Sequence, residues 1–396
     1  MALFRRNRKP QEGEDAADTP KKEKGSWRKP ANTAFKQQRL KAWQPILTPR
    51  TVLPALLLIG IIFAPIGALL IVGSGLVTEI TLDYTNCEDQ SPQTSTTANA
   101  FTTLSSFNYR LRAGHSADTQ PPQYMFVDRT SDNTVPVSQQ KQCVVQFDVP
   151  YELDHTVLLY YKMTNFYQNH RRYVKSVDPN QLKGDHVSQH DIQTGDCKPL
   201  TTDENGKIYY PCGLIANSVF NDSYSDLTLT STPDKSYSWS QNGIAWPGEA
   251  SKYTASPNYN LDEIIPPPNW ALLYPNGYTN STPPPNLKAD EHFQNWMRTA
   301  GLPTFTKLWG RNDNDNLSAG RYQIIVDLNF PVKPYHGTKS IVISTVSWIG
   351  GKNPFLGWAY VATAALFFLL AVAGTIRHLI RPRKLGDMSL LSWNRS

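Results

Sequence analysis

Two stretches without a single charge limit what this chain can fold into. Between Arg50 and Glu79 run 28 uncharged residues, Thr51–Thr78, and between Lys352 and Arg377 another 24. The hydrocarbon core of a bilayer takes about 20 residues of helix, so each stretch is long enough to span it. One such stretch could be the buried helix of a soluble core. Two, each flanked by Arg or Lys, read as a pair of membrane spans. The first begins behind a basic arm of some fifty residues and has no short apolar core with a small-residue cleavage site. It therefore reads as a retained anchor and not as a cleaved signal.

Charge supports the same reading. The 396 residues carry a formal net charge of +6, but the average conceals three unlike parts. Residues 1–50 hold 13 Lys/Arg and 5 Asp/Glu, residues 51–376 hold 21 and 27, and residues 377–396 hold 5 and 1. Basic ends around an acidic middle argue against a nucleic-acid-binding core, and the positive-inside rule places both ends in the cytosol. The expected organisation is a cytosolic arm (1–50), a first span (51–77), a lumenal or extracellular domain (78–353), a second span (354–376) and a cytosolic tail (377–396). Neither span holds a charge at mid-membrane, so neither makes an ion path or proton relay alone.

The large middle segment carries the marks of an oxidising compartment. All four cysteines, Cys87, Cys143, Cys197 and Cys212, lie in it, and so do three glycosylation sequons, at Asn221, Asn280 and Asn316. A fourth sequon, Asn394-Arg-Ser, falls in the cytosolic tail and is expected to stay bare. Four cysteines allow three connectivities. We favour the sequential one, Cys87–Cys143 and Cys197–Cys212, because the second closes a short loop around the turn at Asn205-Gly206.

Apolar residues alternate with polar ones in Cys143–Val149, Val157–Met163 and Ile324–Phe330, and residues 339–349 form a β-branched run. Strands far apart in sequence, joined by turn-rich loops, predict a mainly-β, antiparallel, sandwich-like ectodomain with few short helices. One helix is expected after Asp290 as N-cap, with Phe293, Trp296, Met297 and Ala300 on its apolar face and Gly301 ending it. Residues 231–286, with two PPP runs, read as loop.

Signatures of catalysis are sparse. The chain has no Gly-x-Ser-x-Gly, no Walker loop, no His-Glu-x-x-His and no Asp-Lys-Thr-Gly. Asp185-His186-x-x-x-His190-Asp191 would chelate a metal only on a helix, and its polar surroundings favour a solvated turn. Asp313-Asn-Asp315-Asn opens like a calcium loop but lacks the Gly and the bidentate Glu in register. No metal or cofactor is expected. The basic-aromatic stretch Asn165–Ser176 suits acidic or phosphate groups, or simply an exposed strand end. In the first span, Gly60, Ala64 and Ala68 form a small-residue stripe that lets another helix approach closely, and Pro54 and Pro65 favour a neighbour covering the freed backbone. Before that span, Phe35, Leu40, Trp43, Ile46 and Leu47 alternate with basic residues in an interfacial segment interrupted by Pro45.

Six blocks carry a resemblance: NTAFKQQRLKAWQPILTP (32–49), NFYQNHRRYVKS (165–176), YPCGLIANSVFND (210–222), FQNWMRTAGLPTF (293–305), GTKSIVISTVSWIGGKNPFLG (337–357) and RPRKLGDMSLLSW (381–393). In these the chain closely resembles the accessory β-subunit family of lipid-flipping P-type ATPases, also called the ligand-effect modulator family. The resemblance implies a non-catalytic partner of a ten-span ATPase that moves phospholipid from the exoplasmic to the cytosolic leaflet. It implies a role in the pump's exit from the endoplasmic reticulum and in its stability through the cycle. It places the ectodomain over the pump's lumenal loops, the spans beside its last helices and the arm along its underside. Carried over by position, Phe35, Arg39, Trp43 and Pro45 become cytosolic docking residues, and Arg171, Arg172 and Tyr173 become residues for docking or internal support. Home compartments would be endoplasmic reticulum, Golgi, endosome or plasma membrane, among membrane phospholipids. The competing readings are an anchored ectoenzyme, which needs a cluster of perturbed acids or a metal, and a free-standing lipid or glycan receptor, which needs no large partner.

Overall fold

Strands whose alternate side chains are apolar must lay that face on a second apolar layer, and this is how the ectodomain is built. The computed structural model describes residues 33–40, 47–95, 100–116, 119–382 and 388. Its larger unit is Ala55–Ala373; Met1–Pro54 and Gly374–Ser396 make up the other.

One sheet has the order β12 (Phe305–Asn312), β6 (Val157–Met163), β14 (Lys339–Thr345), β1 (Glu79–Asp83) and β3 (Phe107–Arg110). The other runs β10 (Thr232–Tyr237), β9 (Leu227–Leu229), β13 (Gly320–Asp327), β5 (Lys141–Val149), β4 (Gln123–Asp128) and β2 (Thr102–Thr103), with β8 (Ser223–Tyr224) also on β13. All these pairings are antiparallel. A short parallel pair, β7 (Ile208–Tyr209) with β11 (Ile264–Ile265), stands apart.

Register puts like with like. Ile80 and Leu82 oppose Ile343 and Ile341, which oppose Leu159 and Tyr161. In the other sheet Phe147, Val145 and Cys143 oppose Tyr322, Ile324 and Val326. The two inner faces merge in one core, in which most of these side chains are wholly buried. The Cys87–Cys143 disulfide, with Cα atoms 6.0 Å apart, ties the chain beyond β1 to β5.

Beside the sandwich sits a loop-rich lobe with its own core, including Ile192, Tyr210, Leu287 and Phe293. It contains α3 (Pro179–Lys183), α4 (Gln189–Thr194) and α5 (Leu214–Asn217), and α2 (Arg171–Lys175) leads into it. Cys197–Cys212 closes its central loop, with Cα atoms 5.7 Å apart. The turn inside that loop uses Gly206 at φ +85°, a left-handed conformation that glycine adopts without strain. Helix α6 (Glu291–Met297) joins the two cores, Phe293 lying in the lobe and Trp296 in the sandwich.

Several elements end earlier than their apolar patterns suggest, and a side chain or turn accounts for each. The alternation to Phe330 predicts a longer strand, yet β13 stops at Asp327 because Asp222 Oδ1 accepts the Asn329 and Phe330 N–H groups (2.7 and 2.6 Å). The run at 339–349 stops at Thr345, and a turn between Ser347 and Gly350 follows. Asp290 caps α6 by accepting the Phe293 N–H (2.9 Å), but the helix ends at Met297 and not at Gly301. There the Lys307 ammonium donates to the carbonyls of Asn295, Trp296 and Arg298 at 2.6, 3.2 and 2.6 Å. A cation at a helix C-terminus does what glycine was expected to do. The basic-aromatic stretch ends in helix α2 and not in a strand, and strand β10 interrupts the loop expected at 231–286.

Candidate partner-binding surfaces

The membrane-spanning candidates are α1 (Pro49–Gly75) and α7 (Phe355–Ile380), both apolar and long enough to cross a bilayer. Within the larger unit they meet along small residues. Gly60, Gly67 and Ser74 are buried on α1, and Gly357, Ala364 and Ala371 on α7. A Cβ on Gly67 would lie 2.9 Å from the Gly357 carbonyl oxygen and 2.8 Å from Val361, so only glycine permits this approach. Phe63 packs against Tyr360 beside the seam, ring centroids 5.0 Å apart. The seam has a period of seven because seven residues nearly complete two turns, whereas a step of four drifts by about 40°. Consequently Gly60 turns toward α7, while Ala64 and Ala68 are exposed. With them Leu58, Ile61, Leu69 and Val72 leave an apolar surface that only lipid or another helix can cover.

In the smaller unit, residues 33–40 form an exposed turn in which Thr33 accepts from the Lys36 and Gln37 N–H groups. Phe35 and Arg39 are exposed there, Phe35 at 77%. Trp43 and Pro45 lie outside the described residues. Thr48 receives the first turn of α1, its carbonyl accepting from Thr51 and Val52.

On the ectodomain the three residues of the short helix α2 part ways. Arg171 and Arg172 are exposed. Tyr173 is half-buried, its hydroxyl 2.8 Å from Ser218 Oγ and its ring edge-on to Phe166, and burial pushes the phenol up to about 12. Tyr173 is thus an internal support, and the two arginines are a surface. A residue that composition does not single out is Trp246, 61% exposed, with the Arg298 guanidinium stacked 4.2 Å from its ring centroid. Its only sequence signal is an aromatic between Ala245 and Pro247 in a loop.

The cysteines and the sequon asparagines fall in three settings. The cysteines form the two disulfides described, and no described cysteine is free. Asn280 and Asn316 are exposed. Asn316 donates to Glu152 (2.8 Å) and accepts from the His155 N–H (3.0 Å). Asn221 is half-buried, with its Oδ1 enclosed and unpartnered.

Its neighbour Asp222 is the most buried acid described, and its carboxylate is fully employed. Oδ2 accepts from the Lys339 ammonium (2.7 Å) and the Tyr84 hydroxyl (2.9 Å), while Oδ1 holds the two N–H groups that end β13. Lys339 also donates to the Phe330 carbonyl, and Tyr84 meets Tyr224, 2.8 Å between hydroxyls. Burial, and then Asp222, hold both phenols well above their usual range. This is a structural knot in which each Asp222 oxygen already accepts two hydrogen bonds from the protein.

Part of each metal-like motif is held by protein partners. His186 lies 3.3 Å from Glu263, and Asp191 accepts from Ser188. Arg311 makes a paired contact with Asp313 (2.7 and 2.8 Å), which keeps that carboxyl below its ordinary range. Among the described residues no group of three His, Cys, Asp or Glu is placed to hold a metal.

A disulfide-bonded β-sandwich carried between two paired apolar helices defines the class: a two-span membrane protein with a large ectodomain. The sequence profile of the LEM3 (ligand-effect modulator 3) family / CDC50 family matches residues 70–384, and the chain belongs to that family. It is 42% identical over 370 residues to the Saccharomyces cerevisiae phospholipid-transporting ATPase accessory subunit CRF1, covering 93% of this chain and 90% of that one. It is 38% identical over 410 residues to the accessory subunit CDC50 of Chaetomium thermophilum, covering 100% and 98%. With bovine cell cycle control protein 50A it shares 38% over 363 residues, covering 87% and 88%.

Proposed function

We propose that this chain is the non-catalytic accessory subunit of a phospholipid-transporting P-type ATPase. The observation that carries the reading is similarity to relatives bearing that name, at about 40% identity over 90% or more of both chains. The physical features agree with it. His186, Asp191 and Asp313 of the candidate motifs hold protein partners, and the outer faces of α1 and α7 carry exposed apolar side chains.

The partner in this reading is a ten-span pump held one-to-one, with α1 and α7 against its own helices. Ala64 and Ala68 offer the close-approach face of α1, Gly60 supporting it from the seam. Phe35, Arg39, Trp43 and Pro45 contact the pump's cytosolic underside, and Arg171 and Arg172 its lumenal loops. The basic ends put residues 1–50 and 377–396 in the cytosol. Residues 78–353 then face the lumen of the secretory and endosomal system or the cell exterior, with glycans at Asn221, Asn280 and Asn316. Support of the pump's folding and its exit from the endoplasmic reticulum follows from covering surfaces that the pump alone would expose.

The test is affinity purification of the full chain in mild detergent, with mass spectrometry of stoichiometric co-eluting proteins. One large P-type ATPase at about one-to-one is expected. The Arg39→Ala/Trp43→Ala double variant should recover much less of it while its glycosylation is unchanged. Recovery of the chain alone, monodisperse and glycosylated, would overturn the reading in favour of a free-standing receptor.

A further inference from the structure

Where α1 ends, the ectodomain forms a cleft of about 530 Å³ whose lining changes from apolar to ionic. Leu76, Val346 and Trp348 line it together with Arg112, His115 and Asp154. We propose that this cleft binds the headgroup of an exoplasmic-leaflet glycerophospholipid, so that the ectodomain itself holds a lipid.

Depth is the first argument. Residues 55–75 of α1, at about 1.5 Å each, already cover roughly the 30 Å of a hydrocarbon core. Leu76 and Thr78 therefore stand at headgroup level. The turn at Ser347–Gly350 reaches the same level, because the Trp348 ring packs over Gly73, where a Cβ would lie only 3.1 Å away. Trp348 is nonetheless 71% exposed, and Trp358 on the first turns of α7 is 60% exposed. Exposed tryptophans at this depth are what the interface of a bilayer selects.

The second argument is preorganisation. The loop carrying Arg112 is fastened by three hydrogen bonds, to the last residue of α1, to Thr78 just beyond it and to Tyr151. Ala113 N–H donates to the Gly75 carbonyl (2.9 Å), Arg112 N–H to Thr78 Oγ1 (3.1 Å) and the Tyr151 hydroxyl (3.0 Å). Lys352 bridges the Val77 and Leu111 carbonyls at 2.7 and 3.0 Å. The His115 ring stacks on Tyr151, centroids 4.0 Å apart. The backbone is thus held while the side chain reaches solvent: the Arg112 side chain is 44% exposed, and that of its acidic neighbour, Asp154 at 3.6 Å, is 73% exposed. An exposed pair of this kind contributes little to stability, so a ligand can exchange with it.

Charge complementarity is the third. A glycerophospholipid headgroup presents a phosphate, which a planar guanidinium grips with two parallel donors. In zwitterionic lipids a cationic amine follows, and here Asp154, 3.6 Å from Arg112, and Glu152 line the same cleft. Leu76 and Trp348 would lie along the glycerol and first methylenes. The proposal does not depend on the pump, and it is tested without one.

The experiment uses the full chain in a maltoside detergent, which carries no phosphate. Dihexanoyl phosphatidylcholine is titrated in below its micelle concentration, and hydrogen exchange of residues 111–116 and 346–350 is followed. Saturable protection of both segments is expected, with half-saturation shifted at least tenfold by Arg112→Ala and less by Trp348→Ala. Asp154→Asn should weaken the choline lipid while sparing dihexanoyl phosphatidic acid. Amides of β1 and β14 serve as the folding control and should be unmoved in every variant. Equal protection by inorganic phosphate at the same concentration would make this a generic anion site and overturn the lipid assignment. An unshifted Arg112→Ala titration, or no protection by any ligand, would overturn the site.

Discussion

The sandwich and the lobe beside it are both buried, disulfide-bonded and rich in aromatics, yet they are stabilised by different means. In the sandwich the backbone satisfies itself through ladders, so its interior is free to be apolar. The lobe has few ladders, and polar side chains sealed inside it take their place. Gln181, wholly buried, donates to the Tyr209 carbonyl (3.1 Å) and accepts the Cys212 N–H (2.9 Å). Ser176, also wholly buried, donates to the Cys197 and Lys198 carbonyls and accepts from Leu214. Trp270, Trp296 and Tyr278 each donate to a lobe carbonyl, those of Ala216, Ile215 and Tyr210. An irregular backbone can be buried only when each of its polar groups is given a partner. The lobe is therefore expected to fail on loss of a hydrogen bond, and the sandwich on loss of volume.

The largest effect should come inside the sandwich, at the buried acid whose partners lie on both of its sheets. Asp222→Asn leaves the Lys339 ammonium buried without its counter-charge, which costs about 3–5 kcal/mol. Thermal unfolding of the full chain should fall sharply, and exchange should rise in β13 and β14 as well as around Asn221. A change confined to the loop near Asn221 would show that the knot does not join the two sheets.

Gln181→Met keeps the volume and removes both bonds, stranding a buried carbonyl and a buried N–H at about 1–3 kcal/mol each. Faster exchange should be confined to the lobe, near residues 177–217, with β5 unaffected. Leu159→Ala should do the converse, loosening β6 and β14 through a cavity worth about 2–5 kcal/mol. Equal spreading of both effects would erase the distinction between the regions.

The smallest effect is a pH dependence at the end of α6. Burial, and then Arg298, push the Lys307 ammonium down to about 7. A base whose folded pKa is depressed binds fewer protons folded than unfolded between that value and its ordinary 10.5. Stability from this group thus rises with pH above about 7 and is flat below it. Relative to Lys307→Met, the native chain should gain about 2 kcal/mol from pH 7 to pH 9. A pH-independent difference would mean that the three carbonyls hold the proton throughout.

What could be read from the chain alone divides along the same line. Period-two alternation is a local property, so the strands around Val145, Leu159 and Ile324 and the antiparallel sandwich were legible, as was the Asp290 cap of α6. Twenty or more uncharged residues are equally local, and both helices were visible with their ends shifted by a few residues. The blocks that mark the family are stretches of consecutive residues and need no fold to be seen. What depended on distant partners was not legible. Nothing near Asp222 announces that Lys339 completes it, and nothing near Met297 announces that Lys307 ends the helix. Gly60, Ala64 and Ala68 look like one stripe until α7 is present, and then the seam takes Gly60 with Gly67 and leaves the two alanines outside. The cleft above Leu76 joins residues 76, 112, 154 and 348, which share no motif. Periodicity, charge and length act between neighbours in sequence, so the sequence alone determined the membrane helices, the sheet type and the family. Satisfying a buried charge, ending a helix and shaping a cleft act between neighbours in space, and only the tertiary structure decided those.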